Sequence, residues 1–347
     1  MLRSNCVDFY KGMLIFLVSI GHAVQCAAYQ EEGFFQDPTF KAIYMFHMPL
    51  FIAISGYVSR NSVLRTPPLE FIKSKIFSLL VPIAIWEILF RVALTLVFKK
   101  KIDQDFPLSL LLSILQSLWF LWALFASLVL VTIANVFGRY SFWVSLILFF
   151  FSLFIPDWGI LPLIKYTCPF FLAGYYLAAG SYVEKLMPYK NIIFPVSGVL
   201  ALICFFLWNN QTYIYVTGME LSSENFQNIA LRYIAGAIAS VFALCVFYVA
   251  YLKLGERIIQ GFIIFGKNSL YIYIIGQYAF IGVTKISVRY FEPVAFAPLA
   301  TLVGFSIGLL VTCICCATGV LLAKNKIAAK LLFGKVSTPA PTVATIA

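Results

Sequence analysis

Charge is the scarcest property of this chain. Asp, Glu, Lys and Arg make up 11% of its 347 residues, against about 25% in soluble domains. Hydrophobic residues make up 62%, more than a water-soluble core of this length can hide. A soluble, disordered, collagen-like or disulfide-stapled secreted fold is therefore excluded. Ligand signatures are equally thin. The eight cysteines (Cys6, Cys26, Cys168, Cys204, Cys245, Cys313, Cys315 and Cys316) lie in or beside apolar runs and form no CxxC pair. That argues against both a disulfide framework and a metal site. No P-loop or GxGxxG segment is present, so no nucleotide-cofactor fold is indicated. Histidine occurs only as His22 and His47.

Long apolar runs are what the sequence has in quantity. At about 20 residues per membrane-spanning helix, the composition implies an all-α, polytopic integral membrane protein of about ten spans. They are expected at 11–29, 43–58, 76–98, 111–137, 141–155, 160–179, 191–208, 230–252, 268–284 and 294–322. The first run is read as a span and not a cleaved signal, because it holds His22 and Gln25 and its weakly basic start contains Asp8. Residues 1–335 form one transmembrane domain, and the Pro- and Thr-containing segment 336–347 reads as a disordered cytoplasmic tail.

The basic balance, Lys+Arg 25 against Asp+Glu 14, fits membrane orientation and anionic lipid headgroups better than nucleic acid. With the N-terminus in the cytoplasm, inner segments collect 16 of the 25 basic residues, among them Lys11, Lys73, Lys75, Lys185 and the lysines from 324 to 335. Outer segments keep Lys41, Lys99–Lys101, Arg232, Lys285 and Arg289, diluted by acids. Both termini are thus expected in the cytoplasm. Lys99–Lys101 lies on the wrong side for this rule, offset by Asp103 and Asp105.

Ionisable groups at membrane depth are costly and so informative. His22 stands 11 residues above Lys11, roughly 16 Å along a helix. His47 lies 11 residues from the inner end of the second run, and Glu87 lies 11 residues into the third. The three share one depth, where an imidazole beside a carboxylate suits general acid–base chemistry. Asp8, Lys11, Ile15, Val18 and His22 fall on one helical stripe, a cation at its foot and a base at its centre. Plainer roles stand beside these. His22 is equally an interhelical hydrogen bonder, and His47, near Pro49, a partner for backbone carbonyls. Glu87 and Arg91, four residues apart, neutralise each other within one helix. Lys165 snorkels or pairs. Trp119 and Trp122 suit an aromatic belt as well as a substrate platform.

Motif text goes further. The segment from Asp8 to His22, with Lys11-Gly12 before an apolar run and Gly21 before the histidine, resembles the first helix of the membrane acyltransferase-3 family. Phe46-His-Met-Pro-Leu-Phe-Ile-Ala-Ile-Ser-Gly-Tyr57 is similar to the family's second helix. Trp119-Phe-Leu-Trp122, Pro169-Phe-Phe-Leu-Ala-Gly-Tyr175 and Gly266-Lys-Asn-Ser-Leu-Tyr-Ile-Tyr273 follow in the family's order, so the likeness covers about residues 5–322. The resemblance implies a bacterial inner-membrane enzyme that moves an acyl group, usually acetyl from cytosolic acetyl-CoA, onto a hydroxyl of an exported or lipid-linked glycan. It carries a basic residue and a histidine onto Lys11 and His22, and the second-helix motif onto His47 and Ser55. Glu87 joins them by depth alone. Lys73 and Lys75, with Lys11, are expected to attract the CoA phosphates. Lys11 departs from the arginine of many members, replacing a bidentate phosphate binder with a point charge. The basic pair before the third helix's proline is reduced to Lys75 and Ser78 ahead of Pro82. The rival reading from another class is a transporter or flippase of lipid-linked glycan, whose hallmark is internal repeats with broken helices at midplane.

Overall fold

In a hydrocarbon solvent each backbone N–H and C=O must find its partner within the chain, so apolar runs become helices. A computed structural model of the protein describes residues 5–98, 106–180, 187–294 and 296–335, and among these residues there is no strand. Lys99–Lys101, Asp103, Asp105, Lys185 and the segment 336–347 lie outside them.

Helix α1 (Asn5–Ala23) continues through one wide π turn (Val24–Ala28). A short α2 (Pro38–Tyr44) and α3 (His47–Arg65) return. Helix α4 (Pro68–Lys75), a second π turn (Ile76–Leu80) and α5 (Val81–Phe98) form the next span. Helices α6 (Phe106–Gln116) and α7 (Trp119–Asn135) meet at a 67° bend. Then come α8 (Ser141–Ser152), α9 (Leu161–Leu177), α10 (Lys190–Leu207), a one-turn α11 (Ile214–Thr217) and α12 (Phe226–Lys253). The last are α13 (Glu256–Lys267), α14 (Ser269–Tyr290), α15 (Ala297–Leu322) and α16 (Lys326–Phe333).

Each of the ten expected runs contains helix, but the number long enough to cross a membrane is smaller. Among the described residues seven helical stretches pass by length and composition, or eight if the bent α6–α7 pair is one span. Helix α8 has 12 residues, roughly 18 Å of rise, short of a hydrocarbon core of about 30 Å. Helix α9 has 17 and is largely enclosed, with Phe171 and Tyr175 fully buried where it packs on α3 and α7.

Helix α1 forms the axis of the fold, packed against α13, α14 and α15. The segment at α13, which falls between the expected runs 230–252 and 268–284, is a helix lying antiparallel along the first half of α1: Gly266 meets Asp8 and Phe262 meets Gly12. The described ends of the chain share one end of the bundle. Phe333 of α16 packs on Tyr271 with ring centroids 4.2 Å apart, and the Trp86 indole donates to the Leu332 carbonyl at 2.9 Å. The opposite end is a polar layer, where the Gln30 amide donates to Phe291 O at 2.9 Å and the Tyr213 hydroxyl to Phe35 O at 3.0 Å. Arg232, counted above with the outer topogenic charges, is instead 1% exposed inside this layer.

Candidate active site

The stripe on α1 opens onto a cavity. Lys11, Ile15 and Val18 form one wall of a space of about 180 Å³, faced by Met48 and Ser55 of α3 and Tyr273 of α14. Leu79, from the π turn before α5, completes another side. The first turn of α7 supplies Phe120 and Leu121. That turn exists because the chain breaks at Leu118, a non-glycine residue at φ +46°, ψ +41°, a sparsely populated conformation for such a residue. The break frees backbone donors, and Phe120 N–H donates to the Tyr273 hydroxyl at 3.2 Å. Ser55 donates to Phe51 O at 2.9 Å, so its own proton is held within α3.

The histidines lie just beyond this wall: Val18 is four residues before His22, and Met48 adjoins His47. His22 is the last residue but one of the regular part of α1, two residues before the π turn, a helix defect common at functional sites. It keeps accessible surface, stands 5.5 Å from the Phe280 ring, and has the Gln25 side chain within hydrogen-bonding range. His47 is 3% exposed and its Nδ1 lies 2.8 Å from Ile43 O. A donor is needed there, so Nδ1 carries the proton and Nε2 the lone pair. His47 sits within electrostatic reach of His22, and its ring meets Tyr44 at 4.5 Å.

Glu87 is placed otherwise. Its carboxylate receives Arg91 Nε at 3.1 Å and the Tyr278 hydroxyl at 3.4 Å. Arg91 also donates to Ser109 and Ser113 of α6. Tyr278 and Phe280 are two residues apart on α14, about 3 Å of rise and some 200° of rotation. Glu87 and His22 therefore share a depth, yet meet different faces of α14. The structure does not bring Glu87 to either histidine.

Of the three cations expected for donor phosphates, Lys11 lines the cavity, Lys75 lies 5.0 Å over the Phe71 ring, and Lys73 is exposed. Among the described residues no three His, Cys, Asp or Glu side chains gather as metal ligands would. Sequence reasoning missed Tyr44, whose apolar context disguises it as lipid-facing, and took Tyr273 only as the end of a motif, with no role of its own. It also missed the cluster around Arg232. Lys165 pairs with Asp157 at 2.7 Å and donates to Ile155 O, so it is a folding group.

Residues 4–320 match the protein family described as an acyltransferase domain. The chain is 34% identical over 243 residues to the nodulation protein NolL of Mesorhizobium japonicum, a match covering 69% of this chain and 65% of that protein. It is 32% identical over 247 residues to the NolL of Sinorhizobium fredii, covering 70% and 68%. The chain thus spans slightly under two thirds of the length of the first of these relatives. No solved structure matches it.

Proposed function

Because the chain belongs to the membrane acyltransferase-3 family, we propose that it moves an acetyl group from cytosolic acyl-CoA to a sugar hydroxyl of an exported or cell-surface polysaccharide. It would do so from the bacterial inner membrane, with both termini in the cytoplasm. The observation that carries this reading is the cavity itself, which begins at a cation and runs along one stripe of α1 towards the two histidines.

At about 180 Å³ the cavity falls below the roughly 300 Å³ of a site for a drug-sized ligand. It suits the slender acyl-pantetheine arm of the donor, with the nucleotide left outside. Lys11 then meets a phosphate as a point charge, and Lys73 and Lys75 supply further attraction at the same end.

In the transfer, the sugar oxygen attacks the thioester carbonyl as His22 removes its proton. The C–S bond breaks, the ester C–O bond forms, and the proton on His22 passes to the departing CoA sulfur. His47, its Nδ1 engaged by Ile43, turns Nε2 to orient the reacting imidazole or hydroxyl. Glu87 acts through α14: with Arg91 and Tyr278 it holds the helix that carries Phe280 against His22.

The test is a vesicle assay with labelled acetyl-CoA supplied only to the cytosolic face. Label in the extracted glycan is the expected result. Glycan movement across the membrane without label overturns the proposal in favour of a carrier.

A further inference from the structure

The loop between α10 and α12 is built to place one aromatic ring. Arg232, 1% exposed, donates to Thr212 O, Gly218 O and Thr217 Oγ1, each at 2.7 Å, and touches Met219 Sδ at 3.3 Å. Asn225 ties Thr217 O and Glu220 O at 3.0 and 3.1 Å, and the Asp157 carboxylate receives Met219 N–H. Gly218 turns at φ +62°, ψ −152°, a region nearly restricted to glycine. A Cβ there would sit 2.5 Å from Asp157 Oδ2. So many constraints on residues 212–219 leave α11 a single position.

That position leaves Tyr215 48% exposed. Its ring lies 6.3 Å from Tyr44, which in turn meets His47 at 4.5 Å. Tyr273 stands in the wall of the Lys11 cavity. His22, Tyr44 and Tyr273 keep partial accessible surface, and Tyr215 is exposed. Tyr166, 5% exposed, has a buried hydroxyl with no hydrogen-bond partner among the described residues. The charges beneath the loop are engaged elsewhere: Lys165 with Asp157, and Arg232 with the loop backbone. The two rings that lead from the loop to His47, Tyr215 and Tyr44, are aromatic, hydroxylated and uncharged.

We propose that Tyr215 is the acceptor platform, an aromatic face on which an uncharged pyranose ring lies so that one of its hydroxyls reaches the histidine pair, with Arg232 as the residue that positions it. The apolar C–H face of a neutral sugar suits a tyrosine ring, and a tyrosine adds a polar tip at little conformational cost. The loop lies at the end of the bundle opposite Lys11, so acceptor and donor approach the histidines from opposite sides. This inference rests on the acyltransferase reading above and names the acceptor part of the same site.

The experiment uses the full chain in vesicles, labelled acetyl-CoA, and glycan extracted from cells deleted for this protein. Tyr215→Leu keeps apolar bulk but removes the ring face. It is expected to raise the half-saturating glycan concentration about tenfold, leaving that for acetyl-CoA within about twofold. Tyr215→Phe restores most of the loss. The proposal is overturned if Tyr215→Leu matches the unsubstituted protein, if the acetyl-CoA requirement rises in parallel, or if Phe is as damaging as Leu. Failure of the unsubstituted protein to transfer any label instead defeats the acyltransferase reading, and is visible before any variant is compared.

Discussion

Gly12 of α1 and Gly266 of α13 meet backbone to backbone. A Cβ on Gly12 would collide with the Phe262 carbonyl, and one on Gly266 with that of Asp8. Without a hydrophobic drive between helices in lipid, small residues that permit such approach supply the packing. The contact also sets the position of Lys11, one residue away on α1. Gly12→Ala is expected to lower stability by about 2 kcal/mol or more, because the opposing atoms are main chain and cannot swing aside. Gly12→Leu is expected to prevent accumulation of folded protein. Thermal unfolding in detergent checks the first, and the yield of monodisperse protein the second.

Lys11 is the cation at the foot of the cavity. If it meets a donor phosphate, Lys11→Met raises the half-saturating acetyl-CoA concentration by about tenfold and leaves the glycan requirement nearly unchanged, as expected for a charge-assisted contact made in both ground and transition states. Lys11→Arg retains the charge and is expected to recover most of the affinity. Initial-rate measurements with each substrate varied in turn decide it. Equal increases for both substrates would remove Lys11 from the donor site.

Much of this arrangement is legible in the sequence because helical periodicity is a one-dimensional property. Lys11, Ile15 and Val18 follow the 3.6-residue repeat and do face one cavity. Counting residues also matched depth, since His22 meets Phe280 and Glu87 meets Tyr278 two positions away. What counting cannot supply is rotation about the neighbouring helix, and α14 separates the two side chains. Helix α13 was hidden for a related reason: its 12 residues carry Glu256, Arg257 and Lys267 and resemble an ordinary charged connection. Arg232 reads as a topogenic charge until residues 212–219 fold back to supply its acceptors. Tyr44, Tyr215 and Tyr273 are three among 19 tyrosines, and only the tertiary structure gathers them.

The pair of Glu87 and Arg91 is half-hidden, with side chains 9% and 28% exposed. Removing one charge strands the other among Tyr278, Ser109 and Ser113, so either Glu87→Gln or Arg91→Met alone is expected to destabilise the protein. The double variant is expected to be less affected than the sum, with a coupling of about 1 kcal/mol. A double-mutant cycle in thermal stability measures this. Acetyl transfer by Glu87→Gln should track its stability, since the carboxylate reaches the site only through α14. Loss of transfer in fully folded Glu87→Gln would instead give that carboxylate a part in the chemistry.

His22 and His47 should not respond alike. His22 retains accessible surface beside the Phe280 ring, so His22→Ala removes the proposed base and is expected to lower transfer by about a hundredfold or more. His47 has one nitrogen committed to Ile43 O at 2.8 Å, and only Nε2 is left for the site. Two amides separate its nitrogens. The side-chain amide of His47→Asn falls near Nδ1 and preserves the bond to Ile43 while vacating the Nε2 position. That of His47→Gln reaches the Nε2 position and gives up the backbone bond. If Nε2 orients the reacting group, turnover at saturating glycan and acetyl-CoA falls further for His47→Asn than for His47→Gln, by about tenfold for one lost charge-assisted hydrogen bond. The reverse order, accompanied by a lower unfolding temperature for His47→Gln, would reduce His47 to a support for the turn between α2 and α3.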